Sequence, residues 1–125
     1  MSGPNYIGLM SGTSMDGIDA ALVELSNGEA RLLASHCRKY PPEVITQLER
    51  ALHRLEPRTA DLDELDRLVG ENFAGAAIEL MAAAGIAADQ VTAIGSHGQT
   101  IRHEPDADAP YSLQIGNGAV ISALT

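Results

Sequence analysis

Residues 8 to 19, Gly8-Leu9-Met10-Ser11-Gly12-Thr13-Ser14-Met15-Asp16-Gly17-Ile18-Asp19, gather small residues, hydroxyls and carboxylates between two apolar runs. The runs are Tyr6 to Met10 and Ile18 to Leu25. Small residues let a backbone approach a ligand closely, and glycines supply positive φ freely. Ser11, Thr13 and Ser14 add hydroxyl donors. A strand-turn-strand of this composition suits a phosphate cradle, because backbone N–H groups in a tight turn converge on an anion. A Walker A loop is excluded, since that motif carries a lysine and opens a helix, whereas here no lysine is present and a strand follows. Asp16 and Asp19 would repel phosphate unless a hydrated divalent cation lay between them. The plainer alternative is a polar hairpin in which Asp16 holds the turn through its own side chain.

A second polar block runs Gly95-Ser96-His97-Gly98-Gln99-Thr100-Ile101-Arg102-His103. His97, Gln99 and Thr100 offer donors and acceptors to hydroxyl and amide groups. Gly98 permits close backbone approach, and Arg102 has a planar fork suited to a carboxylate. The alternatives are a histidine satisfied under a loop and an Arg102–Glu104 surface ion pair of little worth. Cys37, His36, His97 and His103 match no zinc spacing. Gly95-Ser96-His97-Gly98 lacks the Gly-x-Ser-x-Gly elbow of a serine hydrolase. Cys37, expected buried in mid-strand, is a poor candidate for thiol catalysis.

These blocks need elements to hold them. Residues 5–10 and 17–25 read as strands, the second apolar on both faces and therefore central. Asn27-Gly28 predicts a hairpin, and residues 29–40 a third antiparallel strand. Pro42 opens a helix carrying Val44, Ile45, Leu48, Ala51, Leu52 and Leu55, ending before Pro57. Residues 61–84 predict a helix of about 36 Å at ~1.5 Å per residue, closed by Gly85. Its polar side, with Asp63, Asp66, Arg67, Gly70, Glu71 and Gly75, reads as mainly solvated. Residues 91–95 predict a strand parallel to an earlier one, with the second polar block at its carboxyl end, where ligands bind in open α/β sheets. Residues 106–110 read as a loop, 111–115 as a short strand and 118–125 as the start of a helix.

Composition bounds the function. A chain of 125 residues with 45% hydrophobic content builds one globular core. A net charge of −9 argues against nucleic-acid binding and makes any polyphosphate site a local exception. A single cysteine and no recognisable signal peptide fit a reducing cytoplasm. No apolar run approaches the ~20 residues a membrane helix needs.

Residues 10 to 19 resemble the opening signature of the anhydro-N-acetylmuramic acid kinases, of the sugar kinase, actin and heat-shock chaperone superfamily. Residues 95 to 103 match a second family block, and Ser112-Leu113-Gln114-Ile115-Gly116-Asn117 a third. Three ordered blocks are far more specific than one glycine-rich loop. The resemblance spans the whole chain but only the first third or so of the family's length. It implies an α/β fold of the ribonuclease-H-like, actin-like ATPase type. Its mixed sheet would open with a three-strand antiparallel meander, with helices packed on it, as one incomplete N-terminal domain over residues 1–125. It also implies an ATP-dependent kinase that opens 1,6-anhydro-N-acetylmuramic acid with water and phosphorylates the oxygen on carbon six, in cell-wall recycling. ATP and Mg²⁺ are the implied cofactors. Gly12, Thr13, Ser14, Met15, Asp16, Gly17, Ile18 and Asp19 would hold the ATP phosphates, with Asp16 near the hydrated Mg²⁺. His97, Gly98, Gln99 and Thr100 would line the sugar side, and Arg102 is a candidate for the lactyl carboxylate. Gln114 and Asn117 would support the cleft floor. The family's aspartate base lies further along than Thr125, so no catalytic residue is expected here and the chain alone should be inactive. A homodimer is expected from an exposed sheet edge. The rival reading is a non-catalytic nucleotide-binding or assembly module of the same superfamily, or another sugar kinase.

Overall fold

The computed structural model describes residues 3–12, 14–53, 59–104, 108 and 111–125. The two opening apolar runs form β1 (Asn5–Ser11) and β2 (Ile18–Ser26), paired antiparallel with Ser11 opposite Ile18. Asn27 and Gly28 take positive φ, 53° and 77°, as a two-residue hairpin turn requires. They return the chain as β3 (Glu29–Arg38), and the expected meander is complete. Two helices follow, α1 (Pro42–Leu52) and α2 (Thr59–Ala84). Gly85, at φ 70°, ends α2, and the Ile86 N–H closes onto the Met81 carbonyl at 3.1 Å. After a 3₁₀ turn (Ala88–Gln90), β4 (Val91–Glu104) runs parallel to β1. β5 (Tyr111–Ile115) pairs antiparallel with β4, and α3 (Gly118–Leu124) follows, capped by the Asn117 side chain on the Ala119 and Val120 N–H groups. The strand order is β3-β2-β1-β4-β5, a mixed α/β sheet.

Side chains alternate across a strand, and that alternation decides what is covered. Ile7, Leu9, Ile18, Ala20, Leu22, Ile101 and Ile115 are buried in one core with Val44, Leu48, Val69, Phe73, Ala77 and Leu80 of the helices. The alternate positions Gly8, Met10 and Asp19 are exposed, and Ala21 and Val23 only half-buried. β2 is therefore flanked on both edges but buried on one face, not on both as its apolar pattern suggested. Among the described residues no helix is long and apolar enough to cross a membrane.

The sequence reading differs from the structure in two further places, and part of it falls on residues that are not described. α1 stops at Leu52, short of Leu55, and the expected boundary at Pro57 lies outside the described residues. The loop 106–110 lies outside them too, apart from Asp108. The polar side of α2 is only partly solvated. Arg67 does sit exposed between Glu64 and Glu71. Asp66, however, accepts a hydrogen bond from the Gly116 N–H at 2.7 Å, and its carbonyl accepts one from the Asn117 N–H at 3.1 Å. A Cβ on Gly70 would lie 2.9 Å from the Asn117 carbonyl oxygen, and one on Gly75 would lie 2.8 Å from the Arg38 guanidinium carbon. The glycines on that side are contact points for β3 and the β5–α3 junction. Arg38, laid over Gly75, donates to Glu79 at 2.6 Å, and His36 meets the same carboxylate at 2.8 Å. Burial works against the Glu79 charge, but these two partners outweigh it and hold the carboxyl below its ordinary range.

Candidate phosphate-binding turn

The turn between β1 and β2 is built from below. Ser11 is buried, and its hydroxyl donates to the Gly17 carbonyl at 2.9 Å. The Met15 N–H donates to the Gly12 carbonyl at 3.1 Å, and Gln99 Nε2 donates to that same oxygen at 3.0 Å. The Met15 side chain drops into the core, 4% exposed, and the residue takes a left-handed φ of 58°. Neither Gly12 nor Gly17 has positive φ, so the glycines do not supply the turn's left-handed step; Met15 does, anchored by its own burial. Gly17 has another task, since a Cβ there would lie 3.0 Å from both the Arg38 carbonyl oxygen and the Cys37 sulfur. It admits the end of β3.

The residues assigned to phosphate therefore divide. Gly12, Ser14, Asp16 and Asp19 are exposed. Met15, Gly17 and Ile18 are buried beneath them. Thr13 lies outside the described residues. Space above Gly12 is open: a Cβ would find only the Ser14 hydroxyl, at 3.7 Å. Among the described residues no cluster of three or more His, Cys, Asp or Glu could hold a metal. A cation here would rest on single carboxylates such as Asp16 or Asp19, with water and ligand oxygens completing its shell, which is the habit of Mg²⁺.

The second polar block is not a loop beyond β4 but part of β4 itself. Leu9 faces Ser96 while Ser11 faces Gln99, so β4 spends three steps against two on β1. The extra residue is a bulge, with Gly98 at φ 78°. A Cβ on Gly98 would lie 2.6 Å from the Ile115 carbonyl oxygen, so the bulge and β5 need glycine there. The bulge splits the block. His97 is exposed on the outer face, where with Asp19, Gly8, Met10, Ser35 and Cys37 it lines a depression of about 750 Å³. Gln99 faces inward and is wholly buried. Thr100 is half-buried and accepts from Gln114 Nε2 at 3.4 Å. The side chain of Arg102, and so its pairing with Glu104, lies outside what is described. Asn117 caps α3, and Gly116, at φ 133°, packs on Gly98. Cys37 is exposed near the end of β3 instead of buried mid-strand. Local desolvation and the Asp19 carboxylate push its thiol up, away from the nucleophilic thiolate.

Residues 4–125 match the family model described as anhydro-N-acetylmuramic acid kinase. The chain belongs to that family. It is 46% identical to the anhydro-N-acetylmuramic acid kinase of Shewanella woodyi over all of its length, which is 34% of that protein. It is 48% identical to the kinase of Shewanella sediminis over 96% of this chain and 32% of that one, and 45% identical to a Shewanella baltica relative over its whole length. The chain thus spans about a third of the length of the curated relatives it matches. Within this family segment, Tyr40, Asp66 and the buried role of Met15 went unread in the sequence. Asp66 had one available signal: a carboxylate four residues before a glycine, Gly70, on a helix face marks a close approach as readily as a solvated surface.

Proposed function

We propose that this segment carries the phosphate-binding turn of an ATP-dependent kinase that phosphorylates 1,6-anhydro-N-acetylmuramic acid, in the cytoplasm, as part of cell-wall recycling. The observation that carries the reading is the exposed backbone of the turn, with Gly12, Ser14 and Asp16 at the surface and open space above Gly12. The Gly12 carbonyl is engaged from below by Gln99 and the Met15 N–H, beneath the exposed Ser14 hydroxyl. A turn backbone of this kind can bind an anion without a lysine, which would offset the repulsion of a chain carrying −9.

In the proposed reaction, water opens the anhydro bridge and the oxygen on carbon six receives the γ-phosphoryl group, giving N-acetylmuramic acid 6-phosphate and ADP. Gly12, Ser14 and the backbone through Asp19 would position the phosphates, and phosphoryl transfer depends chiefly on such positioning. Mg²⁺, when bound, would neutralise phosphate charge; Asp16 and Asp19 are the exposed carboxylates placed to orient its waters. His97, exposed on the outer face, and Thr100 are proposed for the sugar side. Arg102 stays the candidate for the lactyl carboxylate. No residue here is proposed as the base for the attacking water.

Amide NMR of the 125-residue chain tests this. MgATP should shift Gly12, Ser14 and Asp16, and the anhydro-sugar should shift His97 and Thr100. No response to MgATP at the turn refutes the phosphate reading. Nucleotide shifts without sugar shifts would favour the assembly-module reading. ADP release by this chain with sugar should be absent, and robust turnover would overturn the assignment of the base to another segment.

A further inference from the structure

Beneath the turn lies a polar relay whose two side chains are buried. Gln99 is fully buried and Tyr40 is 3% exposed. The Tyr40 hydroxyl donates to Gln99 Oε1 at 3.1 Å. Gln99 Nε2 in turn donates to the Gly12 carbonyl at 3.0 Å and reaches the Thr100 carbonyl at 3.3 Å. The amide has one workable orientation, since turning it over would set Oε1 against two carbonyl oxygens. The Gly12 oxygen accepts from both Gln99 and the Met15 N–H, so both its lone pairs are engaged. Three distant parts of the chain meet in this relay: the β3–α1 connection, the strand just past the β4 bulge, and the turn. A buried amide with each polar atom committed has nothing left to offer a sugar.

We propose that Gln99 and Tyr40 are positioning residues for the phosphate turn, acting through the Gly12 carbonyl, and that Gln99 does not touch the sugar. The inference rests on the phosphate reading of the turn. Gln99 fixes the Gly12 carbonyl beneath the part of the turn proposed to meet the anion. Tyr40 orients Gln99.

The test uses the full natural chain that contains these residues, with Tyr40→Phe, Gln99→Leu and Gln99→Glu. Tyr40→Phe removes one donor and keeps the ring, so the fold should survive. It should raise the KM for ATP by about 3- to 10-fold, the worth of one buried hydrogen bond, with the KM for sugar unchanged. Gln99→Glu keeps the acceptor for Tyr40 but faces an oxygen to the Gly12 carbonyl, and should be the most severe of the three. A rise in the sugar KM with the ATP KM unchanged overturns the proposal and returns Gln99 to the sugar site. A second arm needs no substrate. Hydrogen exchange at the Met15 amide should speed up in Tyr40→Phe and Gln99→Glu while the Leu22 amide in β2 keeps its protection. Unaltered exchange at Met15, or equal loss at both amides, overturns the proposal. If the unsubstituted chain has no use for ATP, the function proposed above fails, and the exchange arm alone decides whether the relay sets the turn.

Discussion

Met15 offers the sharpest test of how the turn is held. It combines a left-handed backbone with a buried side chain, two features whose energies have opposite consequences on truncation. Replacing a buried methionine by alanine costs ~2–5 kcal/mol, and this site at the rim of the core belongs near ~2–3 kcal/mol. Glycine loses the same side chain and a further methyl. It also sheds the left-handed penalty, ~1–2 kcal/mol for a residue with a Cβ. Against that stands ~0.4–1 kcal/mol for the freer unfolded chain of a glycine variant. The balance leaves Met15→Gly about 0.5 kcal/mol more stable than Met15→Ala, the reverse of the order in a strand or helix. Urea unfolding should show this as a higher midpoint for the glycine variant at an unchanged slope. A difference of that size corresponds to roughly 1–3 °C in melting temperature. An alanine variant more stable than the glycine variant by ~1 kcal/mol would refute the claim that the turn's left-handed step is strained and held by burial.

Two further outcomes follow from the same geometry. Asp66→Ala should destabilise the chain by ~1.5–3 kcal/mol, the range for a hydrogen bond to a charged group, because it releases the Gly116 N–H; chemical denaturation measures it, and α3 amides should lose exchange protection first. Burial pushes the Tyr40 hydroxyl up to about 12, with the Ser11 hydroxyl working weakly the other way. The neutral form is therefore favoured by folding, so this contribution is complete below the ordinary value of 10 and is lost as pH rises from there through about 12. An ultraviolet titration should show a phenol step near the upper value that disappears in Tyr40→Phe.

Local signals announced most of the elements. The Asn27-Gly28 turn, Pro42 at a helix start and Gly85 at a helix end each fix φ or remove a donor, so residue type and local structure coincide. Sheet order and register needed contacts across the whole chain. The apolar alternation of β2 marks residues that tolerate burial, and only the placement of the helices decided which face is covered. The turn was legible as a turn, yet its mechanics were not. Gly12 and Gly17 suggested flexible backbone, whereas a buried methionine takes the unusual conformation and Gly17 makes room for Cys37 and Arg38. Gln99 and Tyr40 are 59 residues apart in the chain. No window of sequence displays a bond of that span. The bulge at Gly98 was the costliest omission, since one added residue changes which side chains of the block share a face.

That bulge makes residue count a property of the site. β4 passes His97 to one side of the sheet and Gln99 to the other only because Ser96 to Gln99 takes three steps where Leu9 to Ser11 takes two. Substitution can tune either side chain in place, but pairing the block as a regular strand with Gly98 kept would put His97 and Gln99 on one face, since side chains two residues apart share a side.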